Sequence, residues 1–220
     1  MTWADMVIQL WERTPFLLGG YGYNLLIAAL AMSAGTVIGL VIALARFTRL
    51  LPVRLAGQGV TSLCRNIPSF VLMFYVAFVF PVEIAWGDGF VQVPLWIKAT
   101  LALVIPTVGF ASDQGLAYLR QRQARVADSG ATFVTAWVQY YLIILMASAT
   151  ASVIGADEVV GRANRVIAVD SSPEFLLLTY SYVCLWFLVT GLAVARLVRY
   201  LAAYRGRSRP TDSEPGWEPE

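Results

Sequence analysis

Asp113 is the residue whose type and position point most directly to a function. It lies inside a long apolar run and is flanked by Ser112 and Gln114. A charge among apolar side chains is costly unless it faces a cavity or an oppositely charged partner. The sequence therefore leaves two interpretations open: Ser112, Asp113 and Gln114 line a solute path, or Asp113 forms a structural pair with an arginine such as Arg65 or Arg120.

A second set of polar groups recurs at every second residue, at Ser148, Thr150 and Ser152, with alanines between them. In an α-helix this spacing spreads three side chains over about 200°, so they cannot all face one path. Their hydroxyls can instead donate to backbone carbonyls one turn earlier. Path lining and local hydrogen bonding both remain open for this segment.

Arginines cluster after the run that contains Asp113, at Arg120, Arg122 and Arg125. Such a group can dock an acidic partner protein. It can also serve only to anchor the end of a membrane helix, since basic residues collect on the cytoplasmic side of membranes.

The composition argues against catalysis by this chain. It contains 0 His and 2 Cys, which removes the common zinc, haem and Ser-His-Asp arrangements. No phosphate-binding glycine loop occurs, so we expect no enzymatic activity and no cofactor bound to the chain itself. A net charge of +2 gives no support for nucleic-acid binding.

The elements that hold these residues are long apolar segments. Of the 220 residues, 58% are hydrophobic and 14% are charged, and the apolar residues fall in runs long enough to cross a bilayer. We predict an all-α integral membrane bundle with residues 1–209 as one domain. Five spans are expected, near residues 20–45, 64–82, 96–119, 130–154 and 175–199. Residues 210–220, acidic and rich in proline, are expected to form a disordered cytoplasmic tail.

Shorter features accompany the spans. Gly35, Gly39 and Ala43 recur at every fourth position, a row that would let another helix approach closely. Residues 3–11 have helical amphipathic spacing and are predicted to form a short helix on the outer membrane surface. Residues 81–94 carry the glycine and proline signals of a loop.

The placement of basic residues predicts the orientation. If the spans alternate, 12 of the 16 Lys and Arg residues fall on one side, which by the positive-inside rule is the cytoplasm. The N-terminus is then outside and the C-terminus is inside.

Several motifs, in this order and spacing, resemble the permease subunits of polar amino-acid ABC importers. The second run opens with Arg65-Asn66-Ile67-Pro68, similar to the family's Arg-x-x-Pro. Residues 152–158 read Ser-Val-Ile-Gly-Ala-Asp-Glu, similar to its Ser-Val-Ile-Gly-x-x-Glu. The stretch 22–26 and the segment from Ser172 also fit, and the resemblance covers roughly residues 15–205.

The resemblance implies a type I ABC importer permease fold in a bacterial cytoplasmic membrane. It implies a cytoplasmic ATPase subunit that binds ATP and Mg, an extracytoplasmic solute-binding protein, and a second permease. Five helices enclose too little space for a solute path, so dimerisation is expected. A polar amino acid or a similar small solute is the implied substrate.

One departure concerns the cytoplasmic loop by which such permeases contact the ATPase. Residues 124–130 occupy its place; Gly130 fits the motif, but Asp128 and its neighbours do not supply the Glu-Ala-Ala, and the loop is shorter than in the family. Coupling would then depend on Arg120, Arg122, Arg125, Asp128 and Gly130, and a heterodimer with an intact second permease is favoured over a homodimer. A non-transporting, permease-like scaffold remains the alternative.

Overall fold

The computed structural model describes residues 2–86, 89–169 and 172–207. Its elements in chain order are α1 (Trp3–Phe47), α2 (Leu51–Asn66), α3 (Ser69–Val79), β1 (Glu83–Trp86), β2 (Gly89–Gln92), α4 (Leu95–Gln123), α5 (Ser129–Ser148), a 3-10 helix (Ala149–Ile154), α6 (Val159–Ile167) and α7 (Pro173–Arg207). The predicted tail at residues 210–220 lies outside the described residues. In the described part, four helices are long and apolar enough to cross a membrane, and a bent pair makes a possible fifth span. The predicted multi-pass helical membrane bundle is confirmed.

Helix α1 is one continuous helix, so the prediction of a separate surface helix at residues 3–11 is wrong. The Thr2 side chain caps the first turn together with Asp5. The helix then continues through Pro15 into the predicted first span. Met6 and Leu10 pack in a buried cluster with Phe175, which holds this segment against α7 rather than on the membrane surface.

The small-residue row of α1 is packed against α4, as its spacing predicted. A Cβ atom added at Gly35 would lie 2.5 Å from Cβ of Thr107, and one added at Gly39 would lie 2.6 Å from Cβ of Ala111. Both contacts advance by four residues along each helix, so α1 and α4 run parallel. The two backbones touch at this row, and any larger side chain would push them apart.

The predicted second span at residues 64–82 is not a single straight helix. Helices α2 and α3 meet at Ile67 and Pro68 with an angle of 95° between them. Proline disfavours helical geometry at the residue before it, and Ile67 is extended. The 11 residues of α3 reach only about 16 Å, roughly half the hydrocarbon thickness of a bilayer.

The predicted loop at residues 81–94 contains a small antiparallel hairpin. Strand β1 pairs with β2 in the register Glu83 with Gln92 and Ile84 with Val91. All four residues of β2 are exposed.

The remaining spans alternate in direction. Phe110 of α4 stacks on Tyr140 of α5, and Tyr118 lies near Phe133, so α4 and α5 are antiparallel. The α7 residues Tyr182 and Thr190 hydrogen-bond Thr14 and Tyr21 of α1 respectively. Helix α7 therefore runs parallel to α1.

Two buried apolar clusters hold the bundle. The larger joins α1, α3, α4 and α5 through residues such as Ile27, Met73, Leu103 and Ile144. The smaller joins α1, α6 and α7. The polar groups described next lie where these helices meet.

Candidate functional site

Asp113 is held by two arginines from different helices. Its Oδ1 lies 2.8 Å from Nη1 of Arg46 at the end of α1, and its Oδ2 lies 3.0 Å from Nη1 of Arg65 at the end of α2. The Arg46 side chain is 11% exposed, whereas that of Arg65 is 62% exposed. Of the two arginines predicted as structural partners, Arg65 is found at Asp113; Arg46 takes the place proposed for Arg120.

Arg46 also organises two hydroxyl groups. Its Nη1 donates to Oγ of Ser112 at 2.9 Å and to Oγ1 of Thr61 at 3.2 Å, and these two hydroxyls are 2.8 Å apart. Thr61 donates to the carbonyl of Gly57, where a Cβ atom would lie 2.7 Å from Cγ of Arg46. We refer to Arg46, Thr61, Arg65, Ser112 and Asp113 as the Asp113 cluster. It joins α1, α2 and α4.

The charges of the Asp113 cluster favour binding over catalysis. Two guanidinium groups and one carboxylate leave a positive excess, and arginine stays protonated, so it cannot act as a general base. The exposed Arg65 keeps donors available for an anionic group. Gln114 is half-buried beside this cluster, and the role of Ser112, Asp113 and Gln114 in a solute path stays a prediction.

Ser148 belongs to a second buried polar cluster, which the sequence did not predict. Nδ2 of Asn24 donates to Oγ of Ser148 and to Oε2 of Glu158, each at 2.9 Å. Oδ1 of Asn24 accepts from the backbone N–H of Val159. These three side chains, fully buried, form the Glu158 cluster and tie α1 to the end of α5 and to α6.

Glu158 is the N-cap of α6. Its carboxylate accepts from the backbone N–H groups of Val160 at 3.0 Å and Gly161 at 2.8 Å. Burial away from water raises the pKa of this carboxyl group, and the hydrogen bonds it accepts oppose that shift. Glu158 and Asn24 lie 134 residues apart in the chain, so no local pattern predicts their contact. The signal for the capping role is the position of a Glu directly before a short amphipathic helix.

Thr150 and Ser152 lie in the 3-10 helix and bond to their own backbone. Each donates to the carbonyl three residues earlier, at 2.7 and 3.0 Å, and the hydroxyl of Ser148 does the same at 2.6 Å. A 3-10 helix turns about 120° per residue, which again places the three side chains on different sides. Their path-lining role therefore stays a prediction, with local hydrogen bonding as the observed arrangement.

Lys98 is a charged residue of α4 for which no role was predicted from the sequence. It is 1% exposed, and its Nζ donates to the carbonyls of Ala77 and Phe80 at 3.1 and 2.9 Å. A cation at the C-terminus of a helix satisfies free carbonyls and complements the helix dipole. Its position as the one lysine of the sequence, beside an apolar span, was the available signal.

The predicted coupling residues lie in and beside a tight connection between α4 and α5. Helix α4 ends at Gln123 and α5 begins at Ser129, so residues 124–128 form the whole connection and contain no helix. Arg125 and Asp128 both have positive φ, at 55° and 61°. Arg120, Arg122, Arg125, Asp128 and Gly130 are all exposed. Arg120 and Arg122 lie in the last turn of α4 and Gly130 lies at the start of α5, whereas the connection that holds Arg125 and Asp128 adds no helix of its own.

An apolar cavity of about 280 Å³ lies between α5, the 3-10 helix, α6 and α7. Met146, Val160 and Phe187 line it, together with Cys184. No predicted site residue lies in its wall. In the described part of the chain, no group of three or more His, Cys, Asp or Glu side chains could hold a metal ion.

Comparison with known proteins agrees with the resemblance inferred from the motifs. Over 70 residues the chain is 43% identical to the probable amino-acid ABC transporter permease protein YckA of Bacillus subtilis (strain 168). That match covers 32% of this chain and 31% of the relative. No family model matches the sequence.

The fold similarity covers far more of the chain. A chain from the crystal structure of an amino acid ABC transporter with histidines superposes with a TM-score of 0.71, covering 91% of this chain and 97% of that one at 17% identity. A chain of the inward-facing MetNI methionine ABC transporter gives a TM-score of 0.64, covering 86% and 97% at 15% identity. The predicted type I ABC importer permease-like fold is confirmed.

Proposed function

We propose that this chain, a relative of the amino-acid ABC transporter permeases by its fold and by the 70-residue sequence match, is the membrane subunit of an ATP-driven importer. It forms half of a path for a polar amino acid or a similar small solute. The observation that carries this proposal is the superposition of 91% of the chain on a solved amino-acid transporter subunit with a TM-score of 0.71.

The directions of the helices support a topology of five alternating spans. Helices α1, α4 and α7 run one way, while α3 and α5 run the other way. With α2 and α3 counted as one span, these directions favour termini on opposite sides of the membrane. The arginine bias then favours an outside N-terminus and a cytoplasmic C-terminus.

The proposed partners follow from what this chain lacks. ATP and Mg bind to a separate cytoplasmic ATPase, and a solute-binding protein delivers the solute on the outside. A second permease completes the path. We favour a heterodimer, because residues 124–128 form a short turn where an ATPase contact would need a fitted helix. Exposed ion pairs from Arg120, Arg122 and Arg125 add only about 0–1 kcal/mol each.

The same short connection favours a second candidate function, a permease-like scaffold that assembles a complex without carrying solute. In that case the Asp113 cluster serves packing alone. The two candidates differ in whether solute crosses the membrane through this subunit.

The test is reconstitution of the chain with its ATPase and solute-binding protein in liposomes, with and without a second permease. We expect uptake of radiolabelled amino acid and solute-stimulated ATP hydrolysis only when the second permease is present. Uptake by the homodimeric complex would show that the short connection still couples. If the assembled heterodimeric complex takes up solute at the same rate when the path through this subunit is blocked, the scaffold function is supported.

A further inference from the structure

Helix α2 lies across α4 rather than along it. Helix α3 runs antiparallel to α4. Lys98, near the start of α4, contacts the C-terminal end of α3, and Arg65, which precedes α3, contacts Gly109 further along α4. A Cβ atom at Gly109 would lie 2.9 Å from the backbone N of Arg65. With 95° between α2 and α3, α2 extends sideways from the bundle.

The position of α2 in the chain fixes its depth. It begins at Leu51, only a few residues after α1 ends at Phe47. The apolar run of α1 ends at Arg46 and Arg49, so α2 starts near the membrane boundary, and its C-terminal end at Arg65 reaches Gly109 of α4.

The surface of α2 is that of an interfacial helix. Gly57 and Thr61 are its only buried residues and face the bundle. Val53, Val60 and Leu63 are exposed on one side of α2, and Leu51 and Leu55 are exposed nearer Arg54. No acidic residue occurs in α2. An amphipathic helix with apolar and arginine-bearing sides binds at the boundary of headgroups and acyl chains.

The arginines around α2 divide into two pairs. Arg46 and Arg65 share Asp113, Arg46 from a nearly buried and Arg65 from an exposed position. Arg49 and Arg54 are exposed, and no carboxylate among the residues that the structure describes lies within 4 Å of them. The positive-inside rule requires only that basic residues lie on the cytoplasmic side of the spans. Arg49 and Arg54 have a more specific position, at the start of a helix with exposed apolar residues.

We propose that α2 is a binding site for anionic phospholipid, in which Arg49 and Arg54 contact the phosphate-bearing headgroup and Val53, Val60 and Leu63 contact the acyl chains. Arginine near an anionic membrane surface strengthens binding about fivefold per residue. An acidic protein surface would satisfy the arginines but would leave the exposed apolar side of α2 without a matching environment, so lipid is the favoured occupant.

The experiment uses the full chain in nanodiscs of phosphatidylcholine alone or of phosphatidylcholine and phosphatidylglycerol at a ratio of about three to one. Lipid retained after transfer to mild detergent is counted by native mass spectrometry. We expect the wild type to retain phosphatidylglycerol preferentially, and Arg49→Gln/Arg54→Gln to lower that retention about tenfold or more. The matched control is Arg122→Gln/Arg125→Gln, which removes two exposed arginines near the same end and should keep most of the retention.

Circular dichroism and size-exclusion profiles establish that each variant is folded. Equal phosphatidylglycerol retention by the wild type and the Arg49→Gln/Arg54→Gln variant would overturn the proposal. So would an equal loss in both double variants, which would indicate non-specific attraction to positive charge. Absence of any preference for phosphatidylglycerol in the wild type would also overturn it. Lipid retention is measured on the isolated chain and does not depend on transport.

Discussion

Arg46 at the end of α1 and Asp113 in the middle of α4 form an ion pair of 2.8 Å, although 67 residues separate them in sequence. Arg46 is nearly buried at 11% exposure and also donates to Ser112 and Thr61. Arg65 contacts the other oxygen of the same carboxylate, but from an exposed position. The two arginines therefore contribute differently to the same cluster.

Replacing Arg46 should destabilise the protein more than replacing Arg65. Arg46→Gln removes the nearly buried cation shared by Asp113, Ser112 and Thr61 and leaves Asp113 only the exposed Arg65, which we expect to cost about 1–3 kcal/mol. Arg65→Gln removes an exposed pair and should cost about 0–1 kcal/mol. Thermal unfolding of both variants in detergent measures the difference, and equal losses would contradict the assignment of Arg46 as the structural partner.

Asp113 can be tested for a role in solute passage with a double variant. Asp113→Leu alone leaves Arg46 buried without a counter-charge and should reduce the yield of folded protein. In Arg46→Leu/Asp113→Leu both charges are gone, and replacing a buried pair by apolar groups is often close to neutral. If Asp113 lines the path, the double variant assembles normally but its uptake falls about tenfold or more. Wild-type uptake by the assembled double variant would assign Asp113 a structural role only.

Much of the fold could be predicted because a membrane span requires a run of about 20 apolar residues, which is visible in the local sequence. The long apolar runs predicted α4, α5 and α7, and the four-residue spacing of Gly35 and Gly39 predicted the close approach of another helix, which is α4. Arg65 was foreseen as a partner for Asp113, since a charge among apolar residues needs a counter-charge.

The parts that could not be predicted depend on contacts between distant segments. Pro68 marks a break, but the 95° angle is fixed by the packing of Arg65 against Gly109. Met6 and Leu10 have the spacing of a surface helix, and only their packing with Phe175 shows that these two side chains are buried in the bundle. The Glu158 cluster brings together α1 and α6, a pairing that no local pattern encodes.

Glu158 should make stability depend on pH. Burial raises its pKa above the ordinary value of 4.5, so between about pH 4.5 and the raised pKa the folded state holds more protons than the unfolded state. Stability then falls as pH rises through that window. Glu158→Gln should remove this part of the slope, whereas Glu12→Gln, at an exposed position, should keep it. Thermal unfolding at a series of pH values compares the three proteins; identical slopes in all of them would show that Glu158 does not titrate in this range.

The contact between α1 and α4 predicts a strong difference between two glycines. In Gly39→Ala the new Cβ would lie 2.6 Å from Cβ of Ala111 and 2.7 Å from the carbonyl oxygen of Val108. Neither neighbour is a flexible side-chain end, so the helices must separate, at a cost of about 1–3 kcal/mol. Gly191→Ala in α7 is the matched control, because nothing lies within 4 Å of its added Cβ and alanine favours helix. We expect a lower unfolding temperature for Gly39→Ala and an equal or higher one for Gly191→Ala, measured in the same detergent.

Because the Asp113 cluster spans the same two helices, Gly39→Ala should also weaken the pair between Arg46 and Asp113. Adding Arg46→Gln to Gly39→Ala should therefore cost less than the sum of the two single changes. Strict additivity would mean that the glycine contact and the ion pair stabilise the helix pair independently.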